Sequence, residues 1–218
     1  MDQFATKRKE MVLQQLERRG IQDARVLAAM AKVPRHLFVT TDQDWQSYSD
    51  RPLPIGHRQT ISQPYIVALM CEALKLTEKS KTLEIGTGSG YAAAVMAELS
   101  GHVTSIERIP ELADLARENL RIAGYPSIEI HCSDGSLGYP ENAPYDAIAV
   151  ASGAPAAPET LKQQLSIGGR LIVPVGTSRT YQDLLKISRI TETDYKTENL
   201  GAVAFVPLVG KEGWLEEI

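Results

Sequence analysis

"LEIGTGSGY", residues 83–91, is a short apolar run that breaks into glycines at alternate positions and then resumes as the alanine-rich "AAAVMAEL". The run reads as a strand, the glycines as a tight turn and the continuation as a helix. Glycine in such a turn lets the backbone approach a ligand where the helix begins. The dinucleotide fingerprint G-x-G-x-x-G needs glycine at 91, where Tyr91 stands; here Gly86, Gly88 and Gly90 give G-x-G-x-G, with Thr87 and Ser89 between them. A pyrophosphate favours a bare helix N-terminus, whereas a ligand carrying an ammonium or sulfonium is favoured by nearby carboxylates. Glu84, two residues before the first glycine, supplies one.

Reading outward, the pattern is regular on both sides of this loop. A helix over 65–76 precedes the strand "KTLEIG"; a helix over 90–99, the strand "HVTSIE", a helix over 110–123 and the strands "SIEIHCS" and "YDAIAVA" follow. Next come a helix over 158–165 and the strand "RLIVPVG", and finally the strand-like runs "DLLKISRITE" and "VAFVPLVG", expected to close the sheet as antiparallel strands. Strands alternating with helices predict an α/β, doubly wound, mostly parallel sheet with helices on both faces. The first forty residues predict two further helices, one with Phe4, Met11, Val12 and Leu16 on a face, the other with Val26, Met30 and Val33, capped by Asp23 and ended by Pro34. Residues 42–64 predict a long loop. The expected division is residues 1–64 for the helical extension and loop and 65–218 for the core, as one continuous globular unit.

Composition narrows the class. With 218 residues, 43% hydrophobic and 23% charged, and a net charge of −4, the chain can bury one substantial core and has no basic excess for nucleic acid. No segment approaches the roughly 18 uncharged apolar residues of a spanning helix, and the N-terminus "MDQFATKRKE" has no apolar targeting core, so a cytoplasmic protein is expected. Cys71 and Cys132 form no CxxC, which argues against disulfide or zinc; both are expected as buried thiols, and no metal is expected.

In an open α/β sheet the ligand lies beyond the carboxyl ends of the strands. The second strand ends in Glu107, followed by Arg108, where such folds place an acid against ribose hydroxyls, and the third ends in "SDG", where Asp134, beside Gly135, can accept from an exocyclic amine. Glycine loop, ribose acid and third-strand acid together describe an S-adenosylmethionine site. Glu84 could instead stabilise its loop, and Asp134 could be simple turn chemistry. The Asn/Asp-Pro-Pro-aromatic loop of base-amine methylating enzymes is absent, since that place reads "ASGAP", and neither cysteine follows proline as in C5-pyrimidine methylation.

The stretch "DRPLPIGHRQTISQPYIVALM", followed by "LEIGTGSGYAAAVMAEL", "VTSIERIPELADLAREN", "YDAIAVASGAP", "LSIGGRLIVPVG" and "FVPLVG", resembles the protein-L-isoaspartate (D-aspartate) O-methyltransferases over most of the chain. The resemblance implies a Rossmann-like S-adenosylmethionine-dependent fold with seven strands, the last two exchanged relative to the usual methyltransferase order. It implies methyl transfer to the α-carboxylate of L-isoaspartyl, and some D-aspartyl, residues of peptides and proteins, which starts repair through a succinimide and leaves S-adenosylhomocysteine. It also implies cofactor contacts from Glu84, the glycine loop, Glu107, Arg108, Asp134 and Gly135, and acceptor contacts from Ile55, Gly56, His57, Arg58, Gln59, Thr60, Ile61, Val206, Pro207 and Leu208. Arg58 and Ala151 depart from the residues usual in that family.

The residues agree with a carboxylate acceptor, which is ionised at neutral pH and needs no general base. Catalysis would then rest on orientation, with Ser62 as a hydroxyl donor to the acceptor and Pro64 stiffening its loop. Ser62 could equally be the N-cap of the helix that begins near Pro64. Two rivals stand beside this reading, a methyltransferase for another small carboxylic acid and a non-catalytic binding module. No nucleic-acid or membrane partner is expected, and the chain is expected to be a monomer.

Overall fold

The strand-and-helix alternation is present in the computed structural model, which describes residues 3–216. Helix α1 (Gln3–Met11) continues through a wider turn over Val12–Leu16 and a tight turn that stops at Gly20, whose φ of 97° ends the helical path. Helix α2 (Ala24–Lys32) starts at Asp23, whose carboxylate accepts from the N–H groups of Arg25 and Val26. It stops at Val33, because the ring of Pro34 cannot follow in a helix.

The expected long loop is partly ordered. A short 3-10 helix spans Thr41–Gln46, and a hairpin pairs β1 (Leu53–Gly56) with β2 (Gln59–Ile61), facing the buried Leu53 and Ile61 across it. His57 and Arg58 make its turn with φ of 50° and 58°. Left-handed turns of this kind match the twist of paired strands, and sequences normally mark them with glycine, asparagine or aspartate. With His-Arg in their place, the hairpin has no turn signal.

Helix α3 (Pro64–Leu74) leads into β3 (Lys81–Ile85), α4 (Tyr91–Ala97), β4 (His102–Glu107), α5 (Pro110–Ala123), β5 (Glu129–Cys132), β6 (Tyr145–Val150) and α6 (Glu159–Gln163). The last strands are β7 (Leu165–Ser178), β8 (Tyr181–Arg189) and β9 (Tyr195–Val203). The large sheet has the order β5-β4-β3-β6-β7-β8-β9, parallel through β7, with β8 and β9 each antiparallel to its neighbour. Its sixth and seventh strands stand in sequence order at the edge, the exchanged arrangement that the resemblance implied. The final strand is not "VAFVPLVG" but the polar run before it: an edge strand facing solvent needs few apolar residues, and the apolar run that follows crosses the strand ends instead.

Side chains alternate across the sheet with period two. Ala147, Ala149 and Ile172 face the cluster built with α2, α3, α4 and the N-terminal Met11, Val12 and Leu16, while Ile148, Val150, Leu171 and Val173 face the cluster that contains Leu161 of α6 and Leu208. Of the two free thiols Cys71 is buried and Cys132 exposed, which corrects the expectation for Cys132: it stands at the end of β5, the edge strand of the sheet.

Candidate active site

The sheet order reverses direction between β3 and β6, so the connections leaving these strands diverge and open a crevice at their carboxyl ends. The crevice is a cleft of about 950 Å³, counting the space open to solvent. Gly86, Thr87, Gly88 and Ser89 after β3, Glu107 and Arg108 at the end of β4, Gly135 after β5, and Ala151 and Ser152 after β6 form its floor and one wall. Gln59, Thr60, Ile61 and Ser62 come from the hairpin side, and Val206, Pro207 and Leu208 from the crossing segment.

Backbone bonds hold this geometry. Gly86 and Thr87 both donate to the carbonyl of Ile106, at 2.8 and 3.2 Å, and Ala151 donates to the carbonyl of Ile85 at 2.8 Å, so the three strand ends are tied side by side. Gly88, at φ 55°, is where the loop turns back, and a Cβ built there would stand 3.2 Å from Cδ1 of Ile55. The hairpin therefore packs directly against the glycine loop.

Glu107 is 6% exposed. Its carboxylate accepts from the N–H of Gly88 at 2.8 Å and of Ile109 at 3.0 Å, so it fixes the glycine loop as well as facing the cleft. Glu84 is buried against the same wall. Ser105 donates its hydroxyl to Glu84, and the Thr87 hydroxyl lies 2.6 Å from that of Ser105. Burial, moderated by the Ser105 bond and reinforced by the Glu107 charge, raises the Glu84 carboxyl to about 8. An acid so placed is protonated at neutral pH until a cation arrives to compensate its charge.

Ser62 lines the cleft and does not cap α3. The N-cap position belongs to Gln63, which makes no side-chain capping bond, and the N–H of Tyr65 is taken by Asp50 at 2.8 Å from outside the helix. That contact removes the capping alternative for Ser62.

Other expected residues lie elsewhere. His57 and Arg58 are exposed at the hairpin tip and do not line the cleft, because both are spent on the left-handed turn; Gly56, with φ of 91°, begins that turn. Ile55 supports the loop from beneath. Gly90 adjoins the cleft without lining it, since its α-carbon faces Leu120 of α5. The carboxylate of Asp134 is held by the backbone N–H and hydroxyl of Ser136 and by the N–H of Lys211, so it anchors the C-terminal segment beside the cleft. Sequence reasoning missed Tyr91, Ala92, Ile109, Ser152 and Val209. Applying the strand-end rule to the fourth core strand would have found Ser152.

The site suits the expected cofactor on one further count. Ser89 is a residue of the cleft wall, and its buried hydroxyl has no hydrogen-bond partner among the described residues.

Residues 7–213 match the model of the protein-L-isoaspartate (D-aspartate) O-methyltransferase family. The chain belongs to this family. A protein-L-isoaspartate O-methyltransferase 2 of Marinobacter nauticus is 56% identical over 95% of the chain and 94% of its own length. A protein-L-isoaspartate O-methyltransferase of Methanoculleus marisnigri is 54% identical over 100% and 98%. Among solved structures, a protein-L-isoaspartate O-methyltransferase superposes with a TM-score of 0.84 at 30% identity, covering 94% of this chain and 67% of that one. A β-aspartate methyltransferase structure from Plasmodium falciparum, in complex with S-adenosyl-L-homocysteine, gives 0.82 at 28% identity over 93% and 98%.

Proposed function

We propose that this enzyme transfers a methyl group from S-adenosylmethionine to the α-carboxylate of L-isoaspartyl residues, and of some D-aspartyl residues, in damaged proteins. The observation that carries this reading is the meeting of two kinds of surface in one cleft: strand-end acids and a glycine loop on one side, and the hydroxyl-bearing segment Thr60–Ser62 on the other.

S-adenosylmethionine supplies an electrophilic methyl group on a sulfonium. Glu84 and Glu107 would hold its cationic and hydroxyl-rich parts, and Gly86 and Gly88 keep the loop free of side chains where it bends. Among the described residues no histidine or lysine lines the cleft, which suits an acceptor that arrives already ionised. Ser62 and Thr60 donate hydrogen bonds to the acceptor carboxylate and hold it in line, so the residues contribute orientation and leave proton transfer aside. The product is an α-methyl ester; the following backbone amide nitrogen then attacks it, methanol leaves, and a succinimide forms.

No helix among the described residues is long and apolar enough to cross a membrane. The free thiols fit the reducing cytoplasm, where we place the enzyme. Incubating an isoaspartyl peptide with enzyme and S-adenosylmethionine tests the reading: chromatography should show its conversion to succinimide and aspartyl forms with release of methanol. A peptide that stays unchanged would contradict it.

A further inference from the structure

Glu84 has one side-chain hydrogen-bond donor among the described residues, the hydroxyl of Ser105, and Ser105 does not itself line the cleft. We infer that Ser105 is a positioning residue for cofactor binding: shared between Glu84 and Thr87, its hydroxyl ties the charge on the Glu84 carboxyl to the way the Thr87 hydroxyl is presented to the cofactor. The inference concerns the donor side of the cleft and holds whichever carboxylate is the acceptor.

Strand register makes the placement. Parallel pairing sets Ser105 of β4 directly beside Glu84 of β3, with Ile130 of β5 beyond it and Ala149 of β6 on the other flank of Glu84. Residues in such a row share a face of the sheet, so Ser105 is the one neighbour in it able to offer Glu84 a hydrogen bond. Both side chains are buried, and the serine hydroxyl lies 2.5 Å from the carboxylate and 2.6 Å from the Thr87 hydroxyl. A hydroxyl buried in mid-strand is costly unless it is bonded, and both partners of this one belong to the strand end and loop that border the cleft. The other titratable groups around Glu84 do not replace it. Glu107 on β4 adds like charge, the Cys71 thiol on α3 stays neutral, and α4 and β6 bring Ala92, Met96 and Ala149 to the same space.

The chain of hydroxyls is directional, because each of the two carries a single hydrogen. When Glu84 is ionised, Ser105 donates to it and Thr87 donates to Ser105, which leaves the Thr87 oxygen only lone pairs for a ligand in the cleft. When Glu84 carries its proton the order can reverse, from Glu84 to Ser105 to Thr87, and the Thr87 hydrogen is free for the cleft. A cofactor bearing an ammonium and a sulfonium favours the first order, since a carboxylate and an outward-facing acceptor both suit its charge, and each bond in a buried chain strengthens the next. Ser105 is the link through which acid and loop change together.

The test is calorimetry of S-adenosylmethionine binding at pH values on both sides of 8, about where the Glu84 carboxyl ionises in the empty site. The wild-type affinity should rise with pH and level off above that point, because the cofactor favours the ionised acid. Ser105→Ala removes the bond that favours ionisation, so the levelling point should move up by about one pH unit and the affinity at pH 7 should fall roughly tenfold or more. Ser105→Thr keeps a hydroxyl and should keep the wild-type levelling point. Thr87→Val, which cuts the chain at its outer end, should move that point in the same direction by less, and it carries the test if Ser105→Ala fails to fold. With Glu84→Gln the profile should be flat, and adding Ser105→Ala should leave it flat. A levelling point that Ser105→Ala leaves in place overturns the proposal even where affinity drops, since a merely structural serine would weaken binding equally at every pH. A Ser105→Ala shift that persists beside Glu84→Gln also overturns it, because another group is then titrating.

Discussion

Replacing Glu84 by glutamine should stabilise the empty protein and weaken its grip on the cofactor, two effects of opposite sign from one carboxyl group. In the unfolded chain this carboxyl ionises near 4.5, whereas in the fold it holds its proton to about 8. Its favourable contribution to folding is therefore complete below 4.5 and is lost as the pH rises through 8. Integrating that difference gives a cost of ~3 kcal/mol accumulated between pH 4.5 and 7. The groups facing it reinforce the effect: Glu107 adds like charge, and the buried Cys71 thiol, itself pushed up to about 12, offers no compensating charge; the one ligand that favours the ionised form is the Ser105 hydroxyl. The stability gap between Glu84→Gln and wild type should widen by that amount across this interval in denaturant melts. The same acid predicts proton release on ligand binding. If the cationic cofactor ionises Glu84, about 0.9 proton per site should leave at pH 7. Calorimetry in buffers of different ionisation enthalpy reads this number as a slope. A slope of zero, or a gap that does not change with pH, would refute the assignment of a protonated Glu84 in the empty site.

Ser62→Ala should lower kcat/KM about tenfold or more through loss of a hydrogen bond to a charged acceptor, with cofactor affinity and melting temperature unchanged because Asp50 does the capping; a lower melting temperature with normal turnover would contradict the acceptor role. Glu107→Ala should weaken cofactor binding roughly tenfold or more and also lower stability, because two backbone donors lose their acceptor; an unchanged dissociation constant would remove Glu107 from the site. Arg58→Gly should raise stability by about 1 kcal/mol by relieving a left-handed side-chain residue, with the Michaelis constants of acidic and neutral peptides moving together; a rise confined to acidic peptides would bring Arg58 back to the acceptor.

The parallel part of the sheet was legible because each strand carries its own apolar run and each glycine or acid at its end marks where the ligand lies. Glu84, Glu107 and the loop from Gly86 to Ser89, expected from that rule alone, line the cleft. Three features escaped it. The hairpin around His57 and Arg58 forms by pairing Leu53 with Ile61, a contact that turn chemistry does not announce. Edge strand β9 has few apolar residues because one side of an edge meets water, so the apolar run beyond it took its place in the reading. Asp134 carries the residue type expected of a cofactor contact, but its partners Ser136 and Lys211 come together only in the fold, and a sequence cannot tell an acid facing a ligand from one tying down a neighbouring segment.

The proposed activity requires that this cleft distinguish an isoaspartyl from an aspartyl carboxylate. Two peptides differing only in that residue, each offered methyl-labelled S-adenosylmethionine, measure it directly. Isoaspartate presents its α-carboxylate on a short arm beside the rerouted backbone, and a site fitted to that geometry misplaces the longer reach of aspartate. Label is expected in the isoaspartyl peptide alone, as an ester that releases methanol in mild base; equal label in both peptides, or label that survives base, would defeat the assignment.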